Sequence, residues 1–435
     1  MMRRAIRGDF LHCLDDPGAS PGTEALEAVD DGVLLVDGGR VVSLLPAAHA
    51  DLGPDVPVED WRGHLIVPGF VDTHVHYPQV DVIASYGTQL LDWLERYTFP
   101  AERRFADREH ADGVAKFFLD RLLENGTTTA AVYCTVHPQS VDAFFTEAGR
   151  RDLRMIAGKV LMDRNCPEDL RDTPASGYED SRALIERWHG KGRLGYAITP
   201  RFAPTSSPDQ LALAGRLARE CPDTWIQSHV AENRAEVAWA RELFPEARSY
   251  LDVYDRAGLL RERSVYGHCI WLDDADRARM ADCGAAAAFC PTSNLFLGSG
   301  LYDLAAARAV GMLTGLATDI GGGTSYSMLA TMAEAYKVQQ LLGVSLAPAQ
   351  ALYLATLGGA RSLALDAHIG NFTAGKEADL VVLDRRATPE LSRRMSLGRG
   401  ALDDFFALIM LADSRAVAAT YILGERACMA GGQGL

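Results

Sequence analysis

Short apolar runs recur through the middle of the chain, separated by longer stretches whose apolar positions follow helical spacing. Eight of these runs read as strands: 66–76, 127–134, 154–161, 194–200, 225–229, 264–268, 285–290 and 313–319. Short strands alternating with helices predict parallel β/α units. Eight such units over roughly 300 residues predict a (β/α)8 TIM-like barrel, an α/β fold. The ends of the chain are patterned differently. Val33–Val36 and Arg40–Leu44 flank Asp37-Gly38-Gly39 and read as a hairpin. Asp379–Asp384 and Ala416–Leu423 are further strand candidates. The two ends are expected to pair into one small β-sandwich domain, made of residues 1–66 and 371–435, with the barrel of 67–370 inserted between them. A doubly wound nucleotide-binding sheet would want a glycine-rich loop after the first strand. His74-Val75-His76 stands there instead. Gly321-Gly322-Gly323, after the eighth strand, reads as a tight turn beside a crowded site.

Composition narrows the function. The 435 residues carry 43 Lys+Arg against 58 Asp+Glu, a net charge of −15. An acidic chain argues against nucleic acid or an anionic membrane as main partner and suits a small neutral or cationic substrate. No run approaches the ~18 apolar residues of a membrane span. Met1-Met2-Arg3-Arg4-Ala5 lacks the apolar core of a secretory signal, so a cytoplasmic protein is expected. Eight scattered cysteines include no Cys-x-x-Cys, which predicts reduced thiols and no cysteine-based zinc site.

The chemistry lies at predicted strand ends, where barrels of this kind work. His74 and His76, two apart on a strand, share one face about 7 Å apart along the chain. His229 ends the fifth strand, His268 the sixth and Asp319 the eighth. Imidazoles and a carboxylate suit a divalent transition metal with an open position for water. Each residue alone has a plainer reading, as a hydrogen-bonded or capping group. The whole set at the ends of four strands favours the metal. Glu232, three residues past His229, reads as a first-turn helix acid or as a proton shuttle over the metal, and the metal favours the shuttle.

These residues resemble the amidohydrolase superfamily and, within it, the guanine deaminases. Pro68-Gly69-Phe70-Val71-Asp72-Thr73-His74-Val75-His76 is superfamily-wide. Narrower likenesses are His76-Tyr77-Pro78-Gln79, the stretch from Trp93-Leu94 to Ala101-Glu102, Asn125–Thr129, Thr199-Pro200-Arg201-Phe202, Gln227-Ser228-His229 to Asn233, Cys290–Leu295, Tyr326–Leu329 and Ala355–Ala360. The resemblance implies zinc, with iron(II) as the alternative, on His74, His76, His229 and Asp319. It implies Glu232 as proton shuttle, and His268 and Asp319 beside the attacking water. Gln79, Arg201 and Phe202, together with His229, Glu232, His268 and Asp319, would contact guanine. It also implies a homodimer, a place in purine catabolism, and the conversion of guanine to xanthine and ammonia. Two-metal relatives bridge their ions with a modified lysine on the fourth strand. Lys159 falls in the third and the fourth offers none, so the site reads as mononuclear. The unrelated cytidine-deaminase route needs His-x-Glu and Pro-Cys-x-x-Cys, neither of which is present. Two alternatives stay open: a deaminase of another oxidised purine, such as 8-oxoguanine, or of an aminoazine, and a non-catalytic assembly protein on the same scaffold.

Overall fold

A computed structural model describes residues 3–18, 23–87 and 89–429. The outermost residues of the expected terminal segments therefore lie outside the described part. Eight parallel strands follow one another around a barrel: Phe70–His76, Thr127–Tyr133, Arg154–Gly158, Gly195–Pro200, Trp225–Val230, Ser264–His268, Ala286–Phe289 and Leu313–Leu316. A two-residue strand, Val160–Leu161, adds to the fourth. Backbone bonds beyond the eighth strand close the ring. Asp319 N–H donates to the His74 carbonyl at 3.0 Å, and His76 N–H donates to that of Ile320 at 2.9 Å. The first two strands are buried along their whole length, as strands covered on both faces must be.

The helices between strands start where short polar side chains cap them. Ser207 accepts from the Gln210 amide ahead of Pro208–Glu220. Asn233 and Glu236 form a reciprocal box ahead of Arg234–Leu243. Such caps satisfy amides that the first helical turn leaves unpaired.

The chain ends form a seven-stranded mixed sheet. The predicted hairpin is present, with Asp37 opposite Arg40. The sheet curls on itself, because Val41 exchanges backbone bonds with Gly375 and Lys376. Phe10, Leu34 and Val41 from one half thus share a core with Leu380, Val382 and Tyr421 from the other. The expected sandwich is one continuous curled sheet.

Three strand expectations needed correction. The run 154–161 breaks at Lys159, leaving Arg154–Gly158 as the third barrel strand and Val160–Leu161 paired with the fourth. The run 66–76 splits: Val58–Pro68 belongs to the terminal sheet, with Ile66 opposite Val382, and the barrel strand starts at Phe70. Pro68 lacks an amide to donate, and Gly69 sits where a Cβ would lie 2.1 Å from Thr128 Oγ1. Asp319 stands three residues past the end of its strand rather than on it.

By contacts the chain divides into two units. One comprises residues 1–71, 120–128 and 326–435, and the other 72–119 and 129–325. Among the described residues, no helix is long and apolar enough to cross a membrane.

Candidate active site

The barrel strands deliver their polar ends to one small volume. His74 and His76 point the same way, as a two-residue spacing on a strand requires, and their Nε2 atoms lie 3.2 Å apart. His76 Nε2 is also 3.2 Å from His229 Nε2. Asp319 Oδ1 stands 3.4 Å from both His74 and His76 Nε2. Close packing allows this convergence: Gly267, just before His268, leaves space that a Cβ would fill 2.7 Å from the His74 ring.

Backbone geometry at these positions is strained. Ala231, His268 and Asp319 adopt left-handed φ angles of 52°, 71° and 51°. Non-glycine residues hold such angles only where the surroundings over-determine them. Asp72 is one such determinant. Its buried carboxylate accepts from Thr318 N–H at 3.1 Å, from the Thr318 hydroxyl and from His74 N–H at 3.3 Å, tying the first strand to the loop that carries Asp319.

The protonation states suit metal ligation. Burial, reinforced by neighbouring positive charge, holds His76 and His229 well below the usual imidazole range. Burial also lowers His74, although Asp319 pulls the other way. Burial alone would raise the Asp319 carboxyl, but its bond to His74 and the surrounding imidazoles hold it to about 2. His229 Nδ1 donates to the Arg201 carbonyl at 2.6 Å, which leaves Nε2 as a bare lone pair facing His76. Three nitrogen lone pairs and an ionised carboxylate, crowded together, fit one divalent transition metal.

A second group, His74, His268, Cys290 and Asp319, also brings ligand atoms within 4.8 Å of one another. Cys290 is a poor ligand there, because burial pushes its thiol well up and its Sγ–H donates to the Ala288 carbonyl. Lys159 is spent elsewhere: fully buried, its Nζ pairs with Asp172 at 2.5 Å.

Glu232 and His268 flank the cluster. His268 Nε2 lies 3.4 Å from Glu232 Oε2 and 3.8 Å from Asp319 Oδ2, and its Nδ1–H donates to Asn294 Oδ1 at 2.9 Å. Glu232 Oε1 accepts from the Ser299 hydroxyl at 2.9 Å. Burial pushes the Glu232 carboxyl up to about 7, where a carboxyl can both give and take a proton near neutrality. Beneath it, Glu236 accepts from the Glu232 and Asn233 amides and from the Tyr250 hydroxyl.

A small cavity opens over these groups, lined also by Gln79, Trp93, Arg201 and Phe202. The structure brings together every residue expected at the site; all of them line the cavity except His74, which packs against His76 and Asp319. Sequence reading missed Glu102, Asn294, Ser299 and Glu236 as supporting groups. Glu102 takes both its bonds with Arg201 from a partner ninety-nine positions away, and no local pattern encodes that distance.

Residues 65–427 match the amidohydrolase family. The chain belongs to that family. It is 49% identical to the guanine deaminase of Escherichia coli (strain K12) over 427 residues, covering 97% of each chain. The solved structure of E. coli guanine deaminase superposes with a TM-score of 0.95, covering 98% of this chain and 99% of that one. That of guanine deaminase from C. acetobutylicum with guanine bound in its active site superposes at 0.88, with 26% identity, covering 98% and 99%.

Proposed function

We propose that this amidohydrolase is a guanine deaminase, converting guanine and water to xanthine and ammonia in purine catabolism. One observation carries the reading. A metal-ligand set, a carboxyl poised near neutrality and a guanidinium face a single cavity, in a chain that matches a guanine deaminase along 97% of its length.

His74, His76, His229 and Asp319 would hold one zinc ion, and iron(II) is the alternative occupant. Bound there, the ion supplies Lewis-acid activation of the attacking water. Asp319 accepts a proton from that water. Glu232 delivers a proton to ring nitrogen N3, making C2 electrophilic; it then relays the proton of the added hydroxyl to the departing amine, and the proton held by Asp319 returns to Glu232. His268, held by Asn294, donates toward the oxygen that adds to C2. Arg201 and Gln79 hold the 6-oxo edge, and Phe202 packs beside the ring, so that C2 faces the reacting groups. Within this proposal the barrel of 67–370 carries the chemistry, flanked by the terminal segments 1–66 and 371–435. The enzyme works as a cytoplasmic homodimer.

Incubation with guanine should yield equal amounts of xanthine and ammonia. A panel including 8-oxoguanine and aminoazines decides the substrate. Faster ammonia release from any of these than from guanine would replace this reading. Elemental analysis decides the metal, and sedimentation decides the dimer.

A further inference from the structure

Glu102 has no place in the scheme above, yet it is among the most buried charges of the barrel unit, 1% exposed on the short helix Phe99–Arg103. Both of its oxygens accept from Arg201 NH1, at 2.8 and 2.7 Å, and Oε1 also accepts from Gln79 Nε2 at 3.2 Å. Arg201 and Gln79 line the cavity, whereas Glu102 lies behind them.

Two consequences follow from elementary chemistry. An ionised carboxylate only accepts hydrogen bonds. Gln79 must therefore turn its NH₂ toward Glu102, which leaves Oε1 to accept from Gly321 N–H at 3.3 Å. A flipped amide would set oxygen against oxygen and N–H against N–H. The carboxylate also cancels the Arg201 charge, so this end of the cavity offers hydrogen-bond donors without net charge. Arg201 spends NH1 on Glu102 and keeps its other N–H groups for a ligand.

We infer that Glu102 is a positioning residue that fixes Gln79 and neutralises Arg201, so that the cavity favours neutral guanine and releases xanthine. This inference rests on the guanine deaminase reading. Xanthine is the stronger acid and is largely an anion at mildly alkaline pH, where guanine and hypoxanthine are largely neutral. An uncompensated guanidinium would hold the xanthine anion; the paired one does not.

The test is calorimetric binding of xanthine and of hypoxanthine to the metal-loaded enzyme at one mildly alkaline pH. It needs no turnover. Both purines carry the 6-oxo group, so lost edge contacts cancel in the ratio of their affinities. Glu102→Gln should shift that ratio about tenfold toward xanthine. Glu102→Asp, which keeps the charge, should leave it near the wild-type value. Arg201→Gln leaves the carboxylate alone and should shift the ratio the other way, which decides the matter if Glu102→Gln does not fold. A purely structural Glu102 would weaken both ligands alike, and an unchanged ratio in Glu102→Gln or Arg201→Gln overturns the inference. Absence of guanine turnover by the wild type, with the ratio shifts intact, would sink the function and leave the role of Glu102 standing.

Discussion

The two walls of the cavity are built on opposite electrostatic plans. The strand-end wall gathers electron-pair donors: the Nε2 atoms of His76 and His229 and the Asp319 carboxylate, with His74 packed behind them, neighbours standing 3.2–3.4 Å apart. The reading wall, Arg201 and Gln79, is instead paired from behind by an opposite charge, the Glu102 carboxylate. Like groups crowded together hold their geometry around a cation, whereas a paired wall holds its own. The first wall can therefore be dismantled from solution, by a chelator. The second can be altered only by changing its residues.

The sharpest break in this contrast is metal removal. A chelator, or His76→Ala, should abolish turnover. Elemental analysis should find one ion per chain in the native protein and close to none after either treatment. Two ions per chain, or a modified Lys159, would contradict the single-ion wall. Next comes the group between the walls. Glu232→Gln keeps shape but removes the exchangeable proton, so turnover should fall ~10²–10⁴-fold with metal content unchanged. Near-normal turnover would return Glu232 to a structural role. On the reading wall, Arg201→Met should lose most guanine activity while retaining its metal, and loss of metal as well would merge the two walls into one. The smallest effect is expected at Cys290, which touches the donor cluster without joining it. Cys290→Ala should keep metal and activity within about twofold and cost about 1 kcal/mol of stability. Loss of metal in this variant would make the thiol a ligand.

The donor wall was legible in the sequence because its information is local. His74 and His76 are two apart, and His229 and His268 lie at the ends of recognisable strands. Glu232 follows His229 within one turn. Asp319 was found for the same reason, although it stands in the closing loop and is held there by Asp72 and the His74 carbonyl. The reading wall was half legible. Arg201 and Gln79 were visible through the motifs around them, but Glu102 has no spacing relative to either. Ser299 was hidden likewise, and Asn294 and Glu102, although they stand inside motifs of the resemblance, were given no role there, because a hydroxyl, an amide or a carboxylate gains meaning only from the atom it faces. In the fold, alternation revealed the eight barrel strands and the terminal hairpin. The break at Gly69 was concealed within a continuous apolar run, because the residues on either side are buried in different sheets.

Ring orientation is the central claim, and adenine tests it most directly. Arg201 carries donors only, and adenine places an amino donor where guanine places the 6-oxo acceptor. Adenine also lacks the amine at C2 that this orientation presents to Glu232. Sites built on a required hydrogen bond reject the wrong group by ~10⁴–10⁵-fold. Ammonia release by the wild-type enzyme, measured side by side on the two purines, should be rapid with guanine and at background with adenine. Comparable release from both would show that the reading wall does not set the orientation.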